Sequence, residues 1–313
     1  MQKNKNLHTA KTAKNDEFYT QLTDIEKEMR YYKDFFKGKV VYCNCDDYQQ
    51  SNFYKYFYYN FQYLGLKKLI CTCFNINDNG LYAIYDGQIE TTGKLNGDGD
   101  FRSEECIEYL KQADIVVTNP PFSLFRQYVK QLMDYGKKFI IIGNINAVTY
   151  KEIFPLIKDN KMWIGCSIHS GDRKFYVPDS YELNAATCGV DENGKRFINV
   201  KGVRWFTNIE NKNRFEPIDL YKRYSFEEYP KYDHYDAIEV SKTAEIPMDY
   251  DGVMGVPITF LDKYCPTQFE IIDINPHFFS IVEQGLPKPK KLTLHNVGKK
   301  DPYARILIRK IMK

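Results

Sequence analysis

The sequence predicts an α/β protein: a doubly wound, mostly parallel sheet, followed by a less regular α+β region with a basic end. Two observations carry the first part. Short apolar runs that close on polar residues recur between residues 38 and 160, and they alternate with segments of helical period. Beyond residue 160 that rhythm stops and turn signals multiply. A third observation is the uneven charge. The net charge is only +3, yet the first fourteen residues hold Lys3, Lys5, Lys11 and Lys14 and no acid. From Lys288 onward, Lys290, Lys291, Lys299, Lys300, Arg305, Arg309, Lys310 and Lys313 face Asp301 alone. Basic ends on a near-neutral body fit contact with a polyanion, and equally fit solvated tails.

The elements follow in order. Residues 1–14 are polar, basic and aperiodic, as in a mobile tail. Asn15-Asp16-Glu17-Phe18-Tyr19-Thr20 leads into a helical stretch from Asp24 to Phe36, ended by Gly38. Lys39 to Cys45 is an apolar run closing on Asp46-Asp47, the mark of a strand buried on both faces. Ser51 to Leu64 reads as a helix, with Gly65 as its C-cap, and Lys68 to Phe74 as the next strand. Two alternating stretches flank Asp86-Gly87, a hairpin signal, and Gly97-Asp98-Gly99-Asp100 is a turn. Ser103 opens a helix to Gln112, with Glu104 and Glu105 favouring its N-terminus. Asp114 to Thr118 is a strand that runs into Asn119-Pro120-Pro121-Phe122. A helix from Phe125 to Tyr135, a strand from Lys138 to Gly143 and a helix from Tyr150 to Asp159 complete the alternation. Met162 to Gly165 and Val203 to Thr207 read as strands; from residue 210 the chain is rich in Tyr, Pro and charge, without long periodic segments.

In such sheets ligands bind outside the carboxyl ends of the strands. Asp46, Asp47, Asp100 and Asn119 all fall at or near that edge. The tetrapeptide Asn119-Pro120-Pro121-Phe122 has a specific chemistry. An arylamine such as adenine N6 is a poor nucleophile, because its lone pair is delocalised into the ring. Two acceptors, Asn119 Oδ1 and the Pro120 carbonyl, can hold its two hydrogens and bring the nitrogen towards sp³. The two prolines remove backbone donors and stiffen the loop, and Phe122 can stack on the base.

Asn119-Pro120-Pro121-Phe122 resembles the catalytic motif of adenine-N6 DNA methyltransferases. Asn15 to Thr20 resembles the motif that precedes the cofactor region in those enzymes. Lys39 to Phe53, Asp114 to Arg126, Gly202 to Asn208 and Gly255 to Asp262 are similar to the EcoRI-type modification methylases, a likeness extending over residues 12–280. The resemblance implies a Rossmann-like S-adenosylmethionine-dependent methyltransferase sheet over residues 15–165. Residues 166–313 would hold the remaining strands and a DNA target-recognition region. It implies S-adenosyl-L-methionine as cofactor and no metal. Phe18, Tyr19 and Thr20 would hold its methionine end, and Asn44, Asp46 and Asp47 its amino group. Asp100 and Phe101 would contact its adenine, while Asn119, Pro120, Pro121 and Phe122 would carry the transfer. Double-stranded DNA is the implied substrate, a flipped adenine the target, a monomer the implied state and a cognate restriction endonuclease the functional counterpart.

Two departures stand out. Asp47 to Phe53 has no glycine where the cofactor motif usually has several, and the second strand ends without the acid that usually binds the ribose. Methylation of RNA, including guanine N2, uses a similar tetrapeptide, and a nucleic-acid binding protein that has lost catalysis is the reading from another class. Arg173, Lys174, Lys195, Arg196, Lys212 and Arg214 are candidate DNA contacts, or plain surface charges.

The 313 residues, 43% hydrophobic and 27% charged, describe a packed globular protein. No apolar run approaches the roughly 18 residues that span a bilayer, and no secretory signal follows Met1, so a cytoplasmic protein is expected. The eight cysteines lack Cys-x-x-Cys spacing. Cys43-x-Cys45 and Cys71-x-Cys73 read as small buried side chains on two neighbouring strands rather than as a zinc site.

Overall fold

The computed structural model describes residues 19–75, 77–177, 181, 183, 187–294, 298 and 302–311. Phe18, the tail 1–14 and the basic residues Lys299, Lys300 and Lys313 lie outside these. In chain order the elements are β1 (Tyr19–Thr20), α1 (Leu22–Met29), β2 (Val40–Asn44), α2 (Asn52–Tyr59), α3 (Phe61–Leu64), β3 (Lys68–Cys73), β4 (Leu81–Tyr85), β5 (Glu90–Lys94), α4 (Glu104–Gln112), β6 (Ile115–Thr118), α5 (Phe125–Asp134) and β7 (Lys138–Asn144). They continue with α6 (Phe154–Lys158), β8 (Trp163–Ile164), β9 (Arg173–Tyr176), β10 (Cys188–Val190), β11 (Arg196–Val200), β12 (Val203–Thr207), β13 (Lys231–Tyr232), β14 (Tyr235–Glu239), β15 (Val253–Pro257), β16 (Phe269–Asn275), α7 (Phe279–Glu283) and β17 (Arg305–Lys310). The chain folds into two compact units. The first runs up to Asn144 and includes Gly165–Ile209; the second comprises Ile145–Ile164 and continues from Glu210.

In the first unit the central sheet runs β5-β4-β3-β2-β6-β7-β12. β3, β2, β6 and β7 are mutually parallel, while β4 pairs antiparallel with β3, β5 with β4 and β12 with β7. Every residue of β2 and β6 is buried, as their continuous apolar sequence requires. Val41, Cys43, Leu69, Cys71, Val117, Ile140, Ile142 and Trp205 share one core with Phe53, Phe57 and Phe61 of α2 and α3 and with Tyr32 and Phe36. Cys43 and Cys71 are register partners on β2 and β3, and both thiols are free. This is the Rossmann-like methyltransferase sheet expected from the sequence. The chain leaves β2 towards β3 on one side and returns through β6 on the other, so the switch point lies outside the ends of β2 and β6.

Several helices are shorter than the sequence suggests. The stretch expected from Asp24 to Phe36 is α1 followed by a tighter 3₁₀ turn over Arg30–Phe35. The helix expected from Ser51 to Leu64 breaks at Asn60, whose backbone leaves the helical region while its side chain bonds the Tyr56 carbonyl at 2.8 Å. The helix expected over Tyr150 to Asp159 is only α6, because Pro155 fixes its first turn.

The turn-rich region after residue 165 forms a second sheet, ordered β1-β9-β11-β10 and antiparallel throughout. β1 therefore pairs with a strand more than 150 positions later, Tyr19 opposite Tyr176 and Thr20 opposite Phe175. The second unit, expected to be irregular, is built on a five-stranded sheet ordered β13-β14-β15-β17-β16. Only β14 and β15 pair in parallel. Inside it the Arg305 guanidinium meets the Glu239 carboxylate at 2.6 Å, and the Tyr232 hydroxyl donates to the same carboxylate. Among the described residues, no helix is long and apolar enough to cross a membrane.

Candidate active site

The carboxyl end of β2 sets the site. Asn44 closes the strand, and Cys45 then takes a left-handed backbone, φ 66°. That conformation favours glycine, so Cys45 supplies the sharp turn that a glycine-rich motif would otherwise make. Asp46 N–H donates to the Thr72 carbonyl at 3.0 Å, and the Cys71 thiol lies 3.0 Å from the Asp46 carbonyl, which holds the turn against β3. Asp47 closes a tight loop: Gln49 N–H reaches its Oδ1 at 2.9 Å, and Ser51 N–H its carbonyl at 2.6 Å. Ser51 caps α2 by accepting from Phe53 N–H at 3.1 Å.

Asp46 is 6% exposed, and both carboxyl oxygens turn inward. Oδ1 accepts from Ser51 Oγ at 2.8 Å, and Oδ2 lies 2.6 Å from Thr118 Oγ1. Burial pushes this carboxyl up to about 7, with the bonds from Thr118 and Ser51 opposing the shift. Thr118 Oγ1 also reaches the Asn44 carbonyl, and the Tyr128 hydroxyl of α5 donates to Asn44 Oδ1. Thr118 is the last residue of β6, so these bonds tie the ends of β2, β6 and α5 together at the switch point.

Asn119 follows directly and is 6% exposed. Pro120 is buried, and Pro121 and Phe122 are half-buried. Leu124 N–H bonds the Pro121 carbonyl at 3.0 Å and turns the chain into α5. The start of that helix is seated by Phe125, whose ring lies so close to Gly143 of β7 that a Cβ there would stand 2.5 Å away. The ring of Phe122 meets that of Phe175 edge-on, centroids 6.4 Å apart. Through Phe175 the Asn119–Phe122 loop touches β9, and through β9 it is joined to β1.

Thr20 is buried, and Asn52 of α2 donates to its carbonyl at 2.7 Å. Its hydroxyl has no hydrogen-bond partner among the described residues. A buried hydroxyl without a partner keeps its hydrogen-bonding capacity for a polar ligand. Asp100 lies in a loop held against the end of β3: Asn75 N–H bonds the Asp98 carbonyl at 2.7 Å, and a Cβ on Gly99 would stand 2.1 Å from the Cys73 carbonyl. The Asp100 carboxylate is gripped by Arg102 at 2.5 Å. Phe101 is buried, 4% exposed, edge-on to Tyr128 at 5.0 Å. The structure thus gathers Thr20, Asn44, Asp46, Asp47, Asn119 and Phe122 around one switch point, with Phe101 joined to it through Tyr128.

The chain matches, over residues 6–311, the family described as adenine-specific methyltransferase EcoRI. It belongs to that family. It is 49% identical to type II methyltransferase M.EcoRI of Escherichia coli, over 98% of this chain and 96% of that protein. It is 41% identical to type II methyltransferase M.MgeORF184P of Mycoplasma genitalium, over 97% of this chain and 98% of that one. It is 42% identical to type II methyltransferase M.MpnI of Mycoplasma pneumoniae, over 97% of both.

The acid expected to end the second strand is absent, and Asp78, further along that loop, is paired with Lys94 and accepts from Asn79 N–H at 2.7 Å. Among the described residues, no cluster of three or more His, Cys, Asp or Glu is arranged to hold a metal. Several basic candidates for DNA contact are engaged inside their own unit. Arg214 stacks on the Trp163 ring at 3.8 Å and bonds Asn160 at 2.5 Å, and Arg309 pairs with Glu270 at 2.5 Å. Lys174 and Lys195 lie over the rings of Phe197 and Tyr176, at 4.1 and 5.4 Å. Trp205 and Phe206 are fully buried in the core. Residues that the sequence did not single out, Thr118, Tyr128, Asn52 and Ser51's bond to Asp46, hold the site together. Only Ser51 carried a signal, as a small polar residue just before a helix.

Proposed function

We propose that the chain transfers a methyl group from S-adenosyl-L-methionine to N6 of an adenine extruded from double-stranded DNA, with Asn119-Pro120-Pro121-Phe122 as the catalytic loop. The family establishes an adenine-specific methyltransferase acting on DNA in restriction-modification. The observation supporting the loop assignment is its placement: Asn119 is buried at the carboxyl end of β6, beside the β2 turn, where this fold binds ligands.

The residues present fit the cofactor. Thr20 offers an unmet hydroxyl, and the turn Asn44–Asp47 presents polar backbone and the Asp47 carboxylate at the strand end. Tyr19, Asp100 and Phe101 complete the set carried by the resemblance, and Phe18 belongs with them. When bound, S-adenosylmethionine supplies an electrophilic methyl group on a sulfonium. Asn119 Oδ1 and the Pro120 carbonyl accept the two N6 hydrogens and localise the nitrogen lone pair. Phe122 offers a ring face to the base, and Phe175 braces it. The proton lost from N6 afterwards needs no strong base, because a methylated, cationic arylamine is acidic. Extrusion costs a few kcal/mol of unstacking, supplied by contacts to the duplex. A cognate endonuclease, as functional counterpart, and a monomeric, cytoplasmic enzyme complete the proposal.

The test is methyl transfer to unmethylated genomic DNA by the wild type and by Asn119→Ala. The variant keeps its fold and its affinity for S-adenosylmethionine within a few-fold, and loses transfer by at least about a hundredfold. An active Asn119→Ala enzyme refutes the assignment.

A further inference from the structure

The hydrogen inventory around Asp46 does not close for an ionised carboxylate. Three oxygens stand in a row at the switch point: Asp46 Oδ2, Thr118 Oγ1 and the Asn44 carbonyl. A carbonyl only accepts, and a hydroxyl carries one hydrogen. If Asp46 is ionised, Thr118 satisfies one neighbour and its lone pairs face the other. Both contacts are satisfied when Asp46 carries a proton on Oδ2: Asp46 donates to Thr118, and Thr118 donates to the Asn44 carbonyl. The other oxygen agrees, since Ser51 Oγ accepts from Phe53 N–H and spends its own hydrogen on Asp46 Oδ1.

We propose that Asp46 is a positioning residue held as the neutral acid, and that the chain Asp46–Thr118–Asn44 fastens the entrance of the catalytic loop to the end of β2. The role rests on the reading of Asn119 as catalytic, because Thr118 is the residue immediately before it. The surroundings favour the neutral form. Asp46 is 6% exposed, and the titratable groups that interact with it among the described residues are all acids: Asp47 on its own turn, Cys43 on β2, Cys71 on β3 and Tyr128 on α5. Burial raises its pKa to about 7, so the proton leaves near neutral pH.

Ionisation breaks the row. Thr118 then turns its hydrogen to Asp46, its bond to the Asn44 carbonyl is lost, and the link between β2 and the loop is weakened. The rate of transfer therefore falls as pH rises through about 7, by about tenfold per unit once the neutral form is the minor one.

The experiment uses the full chain. Infrared difference spectra between wild type and Asp46→Asn report the protonated carboxyl directly. Its carbonyl band is present at pH 6 in the wild type and absent in the variant, and it fades as pH rises. Single-turnover methylation is then followed from pH 5.5 to 9. Asp46→Asn keeps a donor towards Thr118 through its amide, so the alkaline fall disappears from its pH profile whatever its absolute rate. Thr118→Val, close in volume, lowers the rate and also removes the fall. A carboxyl already ionised at pH 6, or an Asp46→Asn enzyme as inactive as Asp46→Ala while folded, overturns the proposal. An active Asn119→Ala enzyme with a protonated Asp46 overturns the catalytic reading instead and leaves the hydrogen inventory standing.

Discussion

Removal of the Glu28 carboxylate tests whether one buried group on α1 holds the loop that leads to β9. Glu28 is fully buried. Its Oε1 accepts from Cys166 N–H at 2.8 Å and from the Tyr32 hydroxyl at 2.9 Å, and its Oε2 from Ser167 N–H at 2.7 Å. Gly165 packs so closely that a Cβ on it would stand 2.2 Å from Oε1. Glu28→Ala leaves two backbone N–H groups and one hydroxyl without their acceptor. Each such group costs roughly 1–3 kcal/mol, and water entering the space returns part of it. A net loss of about 3–5 kcal/mol follows, which lowers Tm by about 6–20 °C for a unit of this size. Glu28→Gln keeps one acceptor but turns an amide N–H towards a backbone N–H, so it falls about midway. The assay is thermal unfolding followed by far-UV circular dichroism, with the pH varied. Burial raises the Glu28 pKa, so the folded state holds the proton more tightly than the unfolded chain does. Stability is then full below the ordinary carboxylate range and declines as pH climbs through the raised folded value, and Glu28→Gln removes that slope. A Glu28→Ala protein that melts within about 2 °C of the wild type would show that the 165–167 segment is held by something else.

Other outcomes follow from the same geometry. Thr20→Val removes a buried hydroxyl that has no partner among the described residues, so Tm changes little. S-adenosylmethionine binds about 5- to 30-fold more weakly by isothermal titration, and unchanged affinity would take Thr20 out of the site. Gly99→Ala forces a Cβ to 2.1 Å from the Cys73 carbonyl at a φ of +81°, whereas Gly97→Ala meets nothing within 4 Å. Gly99→Ala therefore lowers the melting temperature and cofactor affinity together while Gly97→Ala changes neither, and equal behaviour of the two would show that the loop is not pinned at β3.

How much of this was legible follows from where the information lies. β2, β3, β6 and β7 are buried on both faces, so each must be an apolar run, and a run that ends on polar residues marks its own carboxyl edge. Asp46, Asp47 and Asn119 were therefore readable as edge residues before any contact was known. What a run cannot encode is its partner. Tyr19–Thr20 has no strand period of its own and becomes a strand only because Arg173–Tyr176 lies beside it. The five-stranded sheet of the second unit was missed for a similar reason: β16 and β17 pair although α7 and a Pro- and Lys-rich stretch separate them. Charge was the most misleading signal. Arg305 and Arg309 stand in a run that reads as a basic tail, yet they lie on β17 with Glu239 and Glu270 as partners.

The missing glycines of the cofactor motif show how one function can be divided among other residues. A glycine there does two things: it allows a left-handed turn at the strand end, and it leaves room for the chain to pass a ligand closely. Here Cys45 makes the turn at φ 66°, at a cost of about 1–2 kcal/mol for a residue with a Cβ. That conformation persists because its neighbours are fixed on both sides. Asn44 is held by Tyr128, and Asp46 by Thr72, Ser51 and Thr118. The small residue reappears at Ser51, where it also caps α2 and orients Asp46. A glycine could do neither of those last two things. The departure from the usual motif is thus coupled to a gain: the turn that lacks glycine is the one whose side chains reach across to Thr118 and hold the residue before Asn119.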